Sequence, residues 1–333
     1  MDYQTSSIRP NYEVRNYRRD EETEITQLSE QVFSRPISLE TWNWKYRDSP
    51  YGGEATVGVY DNKIVAHYGG LVLDANHYGK PIYLLHAVDS MCAPKSRASL
   101  IFVRVGSTFI DSLASRQIEE FGFGFPGKTA AKLGILKLGY RFHSSIYTAQ
   151  VATNQVKSRF SLNSWTYIEN PDKHYFEKVD SIWKTAKNKI PVGVKKDSDY
   201  ISWRYDMRPG KKYSYWILMR LGKLLAYAIT TRENGLIRIL DFVSIHSMQS
   251  PGEHGEFSSL VACIAKQPNA ESVSFWITPA AQYRNRVAMS LNATIEENEC
   301  CSVYVDFIAD SFNKLTGGDS GNFVFDAGDY DLF

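Results

Sequence analysis

Residues 12–18 have strand character, and behind Asp20, placed to cap a helix, Ile25, Leu28 and Val32 fall at i, i+3 and i+7 on one helical face. The pattern predicts a strand and then a helix with one buried side. A second, short helix carries Trp44. Residues 55–60 and 63–74 form a hairpin pattern around Asp61-Asn62, and residues 82–92 are a third strand-like run. Consecutive strands joined by short turns pair antiparallel, since parallel neighbours need long crossovers. Pro94 ends the third run. Residues 99–115 then place Phe102, Val105, Phe109 and Leu113 in helical spacing, on a helix apolar enough to need cover on more than one side. A short strand at 121–125, a turn at Pro126-Gly127, a helix at 129–138 and a closing strand at 140–151 complete this half.

The order then starts again. A strand at 165–168 and a helix at 173–186 precede a helix around Trp203, a hairpin of 213–219 with 224–231, and a strand at 237–244. A helix at 258–265 and strands at 272–277 and 302–308 follow. Residues 152–163, polar and poor in large apolar groups, read as a linker, and the Gly- and Asp-rich tail 315–333 as loosely held.

Words as well as order repeat. Trp44-Lys45-Tyr46-Arg47-Asp48-Ser49-Pro50 returns as Trp203-Arg204-Tyr205-Asp206-Met207-Arg208-Pro209, a displacement of 159 positions from Trp44 to Trp203. Asn62-Lys63-Ile64-Val65-Ala66-His67 is echoed by Gly222-Lys223-Leu224-Leu225-Ala226-Tyr227, displaced by 160 from Lys63 to Lys223. Two blocks in nearly one register predict a duplicated domain, with halves at 1–154 and 155–333. Each half is long enough for its own core, since domains run to about 100 to 200 residues. The two Trp motifs are expected in those cores.

Charge narrows the partners. With 38 basic and 37 acidic side chains the formal charge is +1, so no long-range field draws polyanions, and nucleic acid is not an expected partner. Residues 1–10 carry no apolar run, and no stretch approaches the roughly 18 apolar residues of a membrane span. The reading is a cytoplasmic protein without membrane insertion. Cys92, Cys263, Cys300 and Cys301 have no metal-ligand spacing and read as reduced thiols, so no metal is expected. The 21 Tyr, 17 Phe and 7 Trp suit either a saccharide-stacking groove or a sheet-rich core.

The order of strand, two helices, three antiparallel strands, helix, strand, helix and strand resembles the GNAT acyltransferase superfamily, and its duplication resembles the tandem-GNAT proteins. The pieces that carry the resemblance are Trp44-Lys45-Tyr46, Val88-Asp89-Ser90 with Pro94-Lys95-Ser96-Arg97, Gly124-Phe125-Pro126 and Leu138-Gly139-Tyr140. Similar blocks occur in tandem-GNAT proteins associated with bacterial polysaccharide synthesis, whose ending Ala327-Gly328-Asp329-Tyr330-Asp331 also resembles. The resemblance implies an α+β fold of two tandem domains, each a mixed, mostly antiparallel sheet flanked by helices. It also implies an N-acyltransferase using acetyl-CoA, another acyl-CoA or an acyl carrier protein, with a small-molecule or saccharide amine as acceptor. Fem-type transferases, which share paired GNAT-like domains but draw on aminoacyl-tRNA, and a non-catalytic scaffold are the alternatives.

In that family a pyrophosphate sits on main-chain N–H groups where the fourth strand meets the next helix, because they point outward at the positive end of the helix dipole. Here the joint reads Arg97-Ala98-Ser99-Leu100-Ile101-Phe102, with Arg97 in the family's basic position and Leu100 and Phe102 in its glycine positions. The resemblance places donor contacts at Met91, Ala93, Arg97, Ala98 and Ser99, with oxyanion-stabilising amides among 91–93. In the second half Pro251-Gly252-Glu253-His254-Gly255-Glu256 is acidic and lacks the arginine, so no donor phosphate is expected there. Amine acylation needs a base for the ammonium and an acid for the leaving thiolate. Asp89 and His86 are the candidate bases, on opposite strand faces if pairing is regular, and Tyr140 is the candidate acid. Each also has a plain structural use: Asp89 to bond backbone or a basic side chain, His86 and Tyr140 to fill core, Arg97 to make a surface ion pair.

Overall fold

The computed structural model describes residues 12–33, 36–156 and 163–330. It packs as two compact units: one takes the chain up to Leu71 together with Ala87–Arg116, the other Val72–His86 together with the chain from Gln117 onward.

The first unit contains β1 (Glu13–Asn16), α1 (Glu22–Val32) and α2 (Leu39–Trp42), which runs into a π-helical turn at Asn43–Arg47. β2 (Gly53–Tyr60), β3 (Lys63–His77), β4 (Lys80–Cys92) and α3 (Ile101–Arg116) follow, and β3 and β4 run on into the second unit. β2 pairs antiparallel with β1 and with β3. Asp61 and Asn62 both have positive φ, the conformation a two-residue hairpin turn requires. α3 crosses β2 so closely that a Cβ on Gly58 would run into Ile101 and Val105. Val105, Phe109 and Leu113 are buried as their spacing predicts, with Phe102 half-buried beside Tyr68. Asp20 does not cap α1. Glu21 holds the N-cap position, and its carboxylate accepts from Arg18 N–H and from the Arg15 guanidinium, while Asp20 turns at φ 77°.

The second unit continues with β5 (Phe121–Gly124), α4 (Lys128–Lys137), β6 (Arg141–Ala152), β7 (Ser164–Ile168), α5 (Lys173–Ala186) and β8 (Val192–Val194). α6 (Ser198–Ile201) runs into a second π-helical turn at Ser202–Asp206; β9 (Ser214–Arg220), β10 (Lys223–Glu233) and β11 (Leu236–Ser244) come next. The chain ends with α7 (Pro251–Ile264), β12 (Ser272–Ile277), α8 (Tyr283–Ser290), β13 (Thr294–Asp306), α9 (Ser311–Thr316) and β14 (Phe323–Val324). The strands lie in the order β5-β13-β6-β12-β11-β10-β9-β7. β6 is antiparallel to β12 and β13, whereas β11 and β12 are parallel over only three residues each, Leu236, Ile237 and Arg238 against Ser272, Val273 and Ser274. Phe257, Leu260 and Val261 of α7 pack with Trp216, Ile239 and Phe275 of the sheet. The mixed, mostly antiparallel α+β architecture is the one expected.

β6, the strand that closes the first half of the sequence, lies between two strands of the second half. Packing therefore divides the chain otherwise than the repeat does, and the repeat boundary near residue 154 is kept as a proposal. Of the expected linker, residues 157–162 lie outside the described residues. α7 begins earlier than its apolar run, because Ser250 caps it and Pro251 occupies its first turn. The tail is not loose. From Phe323 to Tyr330 it is buried or half-buried, held by charged partners described below; Asp331 and the two residues after it are outside the described set. Among the described residues no helix is long and apolar enough to cross a membrane, no cluster of His, Cys, Asp and Glu is arranged to hold a metal ion, and the four cysteines are unbridged.

Candidate functional site

The Trp44 motif folds as a π-helical turn, closed by Asp48 N–H donating to Asn43 O at 2.8 Å, and this wider turn brings Trp44, Lys45 and Tyr46 to the interior together. The Tyr46 ring stacks on Trp42 with centroids 3.9 Å apart. Lys45 Nζ donates to Asp89 Oδ1 and Oδ2 at 3.0 and 2.9 Å, and Tyr46 OH donates to Oδ2 at 2.9 Å. Asp89 stands inside β4 with φ 51°, a local departure from extended strand geometry. His67 donates from Nδ1 to the Asp89 carbonyl at 2.7 Å. Burial pushes the His67 imidazole down to about 4, against the opposing effect of that bond, so the ring is neutral near pH 7; its Nε2 makes no hydrogen bond. Lys45 and Asp89 side chains are only 3% and 5% exposed, which makes theirs a buried ion pair whose breakage leaves a bare charge.

β4 leads from Asp89 to the joint. Met91 is buried, and Ala93 N–H is committed to Val65 O at 2.8 Å. A 3-10 turn spans Pro94–Ser99, in which Arg97 and Ala98 are exposed. Arg97 Nε donates to Cys92 O at 3.4 Å. Ser99 Oγ donates to Ser96 O at 2.6 Å and accepts from Ile101 N–H, the first amide of α3, at 3.4 Å. Leu100, in one of the family's glycine positions, takes φ 61°, the left-handed conformation glycine adopts most easily, and its side chain is 58% exposed.

His86 and Tyr140 belong to the second unit, Asp89 to the first. His86 is 7% exposed and stacks on Phe123 at 4.8 Å with the rings 4° from parallel. Tyr140 is half-buried over Gly134 beside Ala131, Cys301 and Val303.

The second unit builds its own version of the motif. Tyr205 OH donates to Asp241, whose other oxygen accepts from Lys196 Nζ; Lys196 also donates to Asp329 at 2.8 Å, and Tyr227 OH donates to the Lys196 carbonyl. Arg204, the counterpart of Lys45, turns to the C-terminal segment, donating to Gly328 O and Tyr330 O, each at 2.9 Å. Burial lifts Asp241 to about 6, against the pull of Lys196 in the other direction. Burial would lower the Lys196 ammonium, but Asp241 and Asp329 raise it and keep it charged. Nearby, Arg284 grips Asp326 through two bonds of 2.8 and 2.7 Å. A cavity of about 50 Å³, room for a few water molecules, is lined by Lys196, Phe242, Ser244, Glu253, Arg284 and Asp326 among others. Burial pushes Glu253 up to about 7, opposed by the Gln249 N–H that its carboxylate accepts. The sequence reading missed Lys196, Arg284 and Asp326. The signals for this cluster were the repeat, which aligns Tyr205 with Tyr46, and the closing Ala327-Gly328-Asp329-Tyr330 block, which contains Asp329.

No protein-family model matches the chain, and no curated protein is similar to it in sequence. Solved structures are similar in fold. A conserved protein of Enterococcus faecalis V583 described as a probable N-acyltransferase superposes with a TM-score of 0.71 at 11% identity, over 92% of this chain and 75% of that one. A GCN5-related N-acetyltransferase from Anabaena variabilis gives 0.69 at 13% identity, over 90% and 74%. A tandem GNAT protein from the clavulanic acid biosynthesis pathway gives 0.58 at 11% identity, over 90% and 99%. At such identities the likeness is one of fold: the chain has the GNAT fold, as its repeated motif and element order imply.

Proposed function

We propose that this chain is an N-acyltransferase that takes an acyl group from a thioester donor to an amino group, with the donor at the β4–α3 joint of the first unit. The observation that carries the reading is a GNAT fold whose β4 departs from regular extension at Asp89 and delivers an arginine, Arg97, to the turn before α3. Amides at the start of α3 carry the positive end of its dipole and suit an anion, and Arg97 adds a full charge beside them. Leu100 and Phe102 narrow the approach to that main chain. Acyl carrier protein, whose phosphopantetheine arm requires fewer phosphate contacts than coenzyme A, is therefore a donor to test beside acetyl-CoA.

Acyl transfer to an amine forms the new C–N bond as the C–S bond breaks. The acceptor ammonium must lose a proton and the thiolate gain one. His86 and Asp89 are the proposed bases and Tyr140 the proposed acid, to be separated by substitution. Asp89 would have to act while bound by Lys45 and Tyr46, which ranks His86 before it. The acceptor we propose is an amino sugar of a surface-polysaccharide precursor, on the resemblance of the sequence blocks.

The test is release of free thiol from acetyl-CoA and from an acetylated carrier protein, with amino sugars, simple amines and no acceptor in parallel. Acceptor-dependent thiol release supports the reading. No release with either thioester, together with aminoacyl transfer from charged tRNA, would replace it with the Fem-type alternative.

A further inference from the structure

Asp89 is a non-glycine residue at φ 51° within a strand, a conformation that persists only where its surroundings over-determine it. Three side chains do so from two directions: Lys45 and Tyr46 hold the carboxylate, and His67 holds the carbonyl of the same residue. Side chain and main chain of residue 89 are thus fixed together.

We infer that Lys45, Tyr46 and His67 are positioning residues that clamp Asp89 in its left-handed conformation and so set the course of residues 90–93 into the Pro94–Ser99 turn. The inference rests on the acyl-donor reading of that turn. One left-handed residue in a strand shifts the phase of all that follow, because side chains alternate between faces with period two. Were residue 89 to relax to an extended conformation, buried Met91 and Cys92 would be turned toward the opposite face. The bonds from Ala93 N–H to Val65 O and from Arg97 Nε to Cys92 O would be lost with them.

The second unit repeats part of this arrangement. There a tyrosine of the repeated motif and a lysine again share one strand aspartate, Asp241, and Tyr227, which the repeat aligns with His67, again bonds a main-chain carbonyl of the cluster. What is duplicated is the grip on the strand carboxylate, without a hold on that aspartate's own carbonyl. Asp241, unlike Asp89, is not among the residues with positive φ. The left-handed residue thus belongs to the unit for which the donor is proposed.

Tyr46→Phe removes one donor and leaves the Lys45–Asp89 pair in place, with Tyr205→Phe as the control in the other unit. Amide hydrogen exchange and calorimetric binding of acetyl-CoA and of an acetylated carrier protein are measured on the full chain. The clamp predicts that Tyr46→Phe speeds exchange at residues 90–93 about tenfold or more, with a matching rise in donor Kd, and that Tyr205→Phe does neither. A second variant, Lys45→Met with Asp89→Gly, removes the buried charges while glycine takes φ 51° without strain; it is expected to bind donor within about threefold of the parent. Unchanged exchange in Tyr46→Phe, faster exchange with unchanged donor Kd, or a folded double variant without donor affinity would each overturn the positioning role. A parent protein that binds neither thioester would instead overturn the acyl-donor reading, with the exchange data still deciding the clamp.

Discussion

Tyr46 and Asp89, 43 positions apart, meet through a hydrogen bond of 2.9 Å from phenol to carboxylate, and the repeat makes the same bond again between Tyr205 and Asp241. A tyrosine hydroxyl on a buried carboxylate is a charge-assisted bond, stronger than a neutral one. Its occurrence in both units shows that the repeated motif keeps one contact, the tyrosine on a strand aspartate, in each.

Gly69 lies under the Tyr46 hydroxyl, and a Cβ there would meet that oxygen and the His67 ring well inside contact distance. Gly69→Ala is expected to push Tyr46 off Asp89 and to destabilise the protein by about 1–3 kcal/mol. Denaturant unfolding measures it. A change below about 0.5 kcal/mol, the usual span of surface substitutions, would mean that the hydroxyl is not held there.

Leu100→Gly should have the opposite sign. At φ 61° a leucine bears about 1–2 kcal/mol of steric cost that glycine escapes, and a side chain 58% exposed loses little burial. Allowing about 0.5–1 kcal/mol for the freer unfolded chain, the variant should be slightly more stable, and donor Kd should fall as the main chain becomes more approachable. Lower stability together with weaker donor binding would remove Leu100 from the site.

The C-terminal segment is held by charge. Arg284→Met strands Asp326 in a buried setting and should cost about 3–5 kcal/mol, whereas the double variant with Asp326→Leu should recover much of that loss. Thermal unfolding of the two singles and the double gives the coupling. Additive losses would show that the pair does not hold the segment.

Glu253 and His67 make opposing contributions to stability against pH. Glu253, raised to about 7 from 4.5, keeps its proton in the folded state where the unfolded chain has lost it, so its contribution declines as pH rises through that window. His67, lowered from 6.5 to about 4, refuses a proton that the unfolded chain accepts, so its contribution is full above 6.5 and declines as pH falls toward 4. Glu253→Gln retains an acceptor for Gln249 N–H and removes the first effect. Relative to the parent it should gain about 2 kcal/mol between pH 5 and pH 8, read from unfolding at each pH. A constant difference would mean that Glu253 ionises normally in the fold.

The elements were legible where local pattern decides them. α5 and β12 begin and end where their periodicity says, and Asp61-Asn62 announces its hairpin by turn chemistry alone. α8 was not legible, because Tyr-Arg-Asn-Arg has no apolar face until Arg284 finds Asp326. The place of β6 between β12 and β13 is set by pairing partners far along the chain. At the candidate site, Asp89 was visible as a carboxylate in a strand, and the Trp44 motif as a repeat. Their joining was not, since it depends on a π-helical turn and a left-handed strand residue that neither stretch declares.

The account's central claim is a thioester site at the β4–α3 joint of the first unit, and calorimetry of acetyl-CoA and acetylated carrier protein against the parent and Arg97→Ala tests it most directly. The account predicts one site per chain for at least one of these donors, weakened about tenfold or more when the exposed Arg97 guanidinium is removed. Binding that is indifferent to Arg97→Ala, or that is abolished by substitutions lining the Glu253 cavity instead, would contradict it.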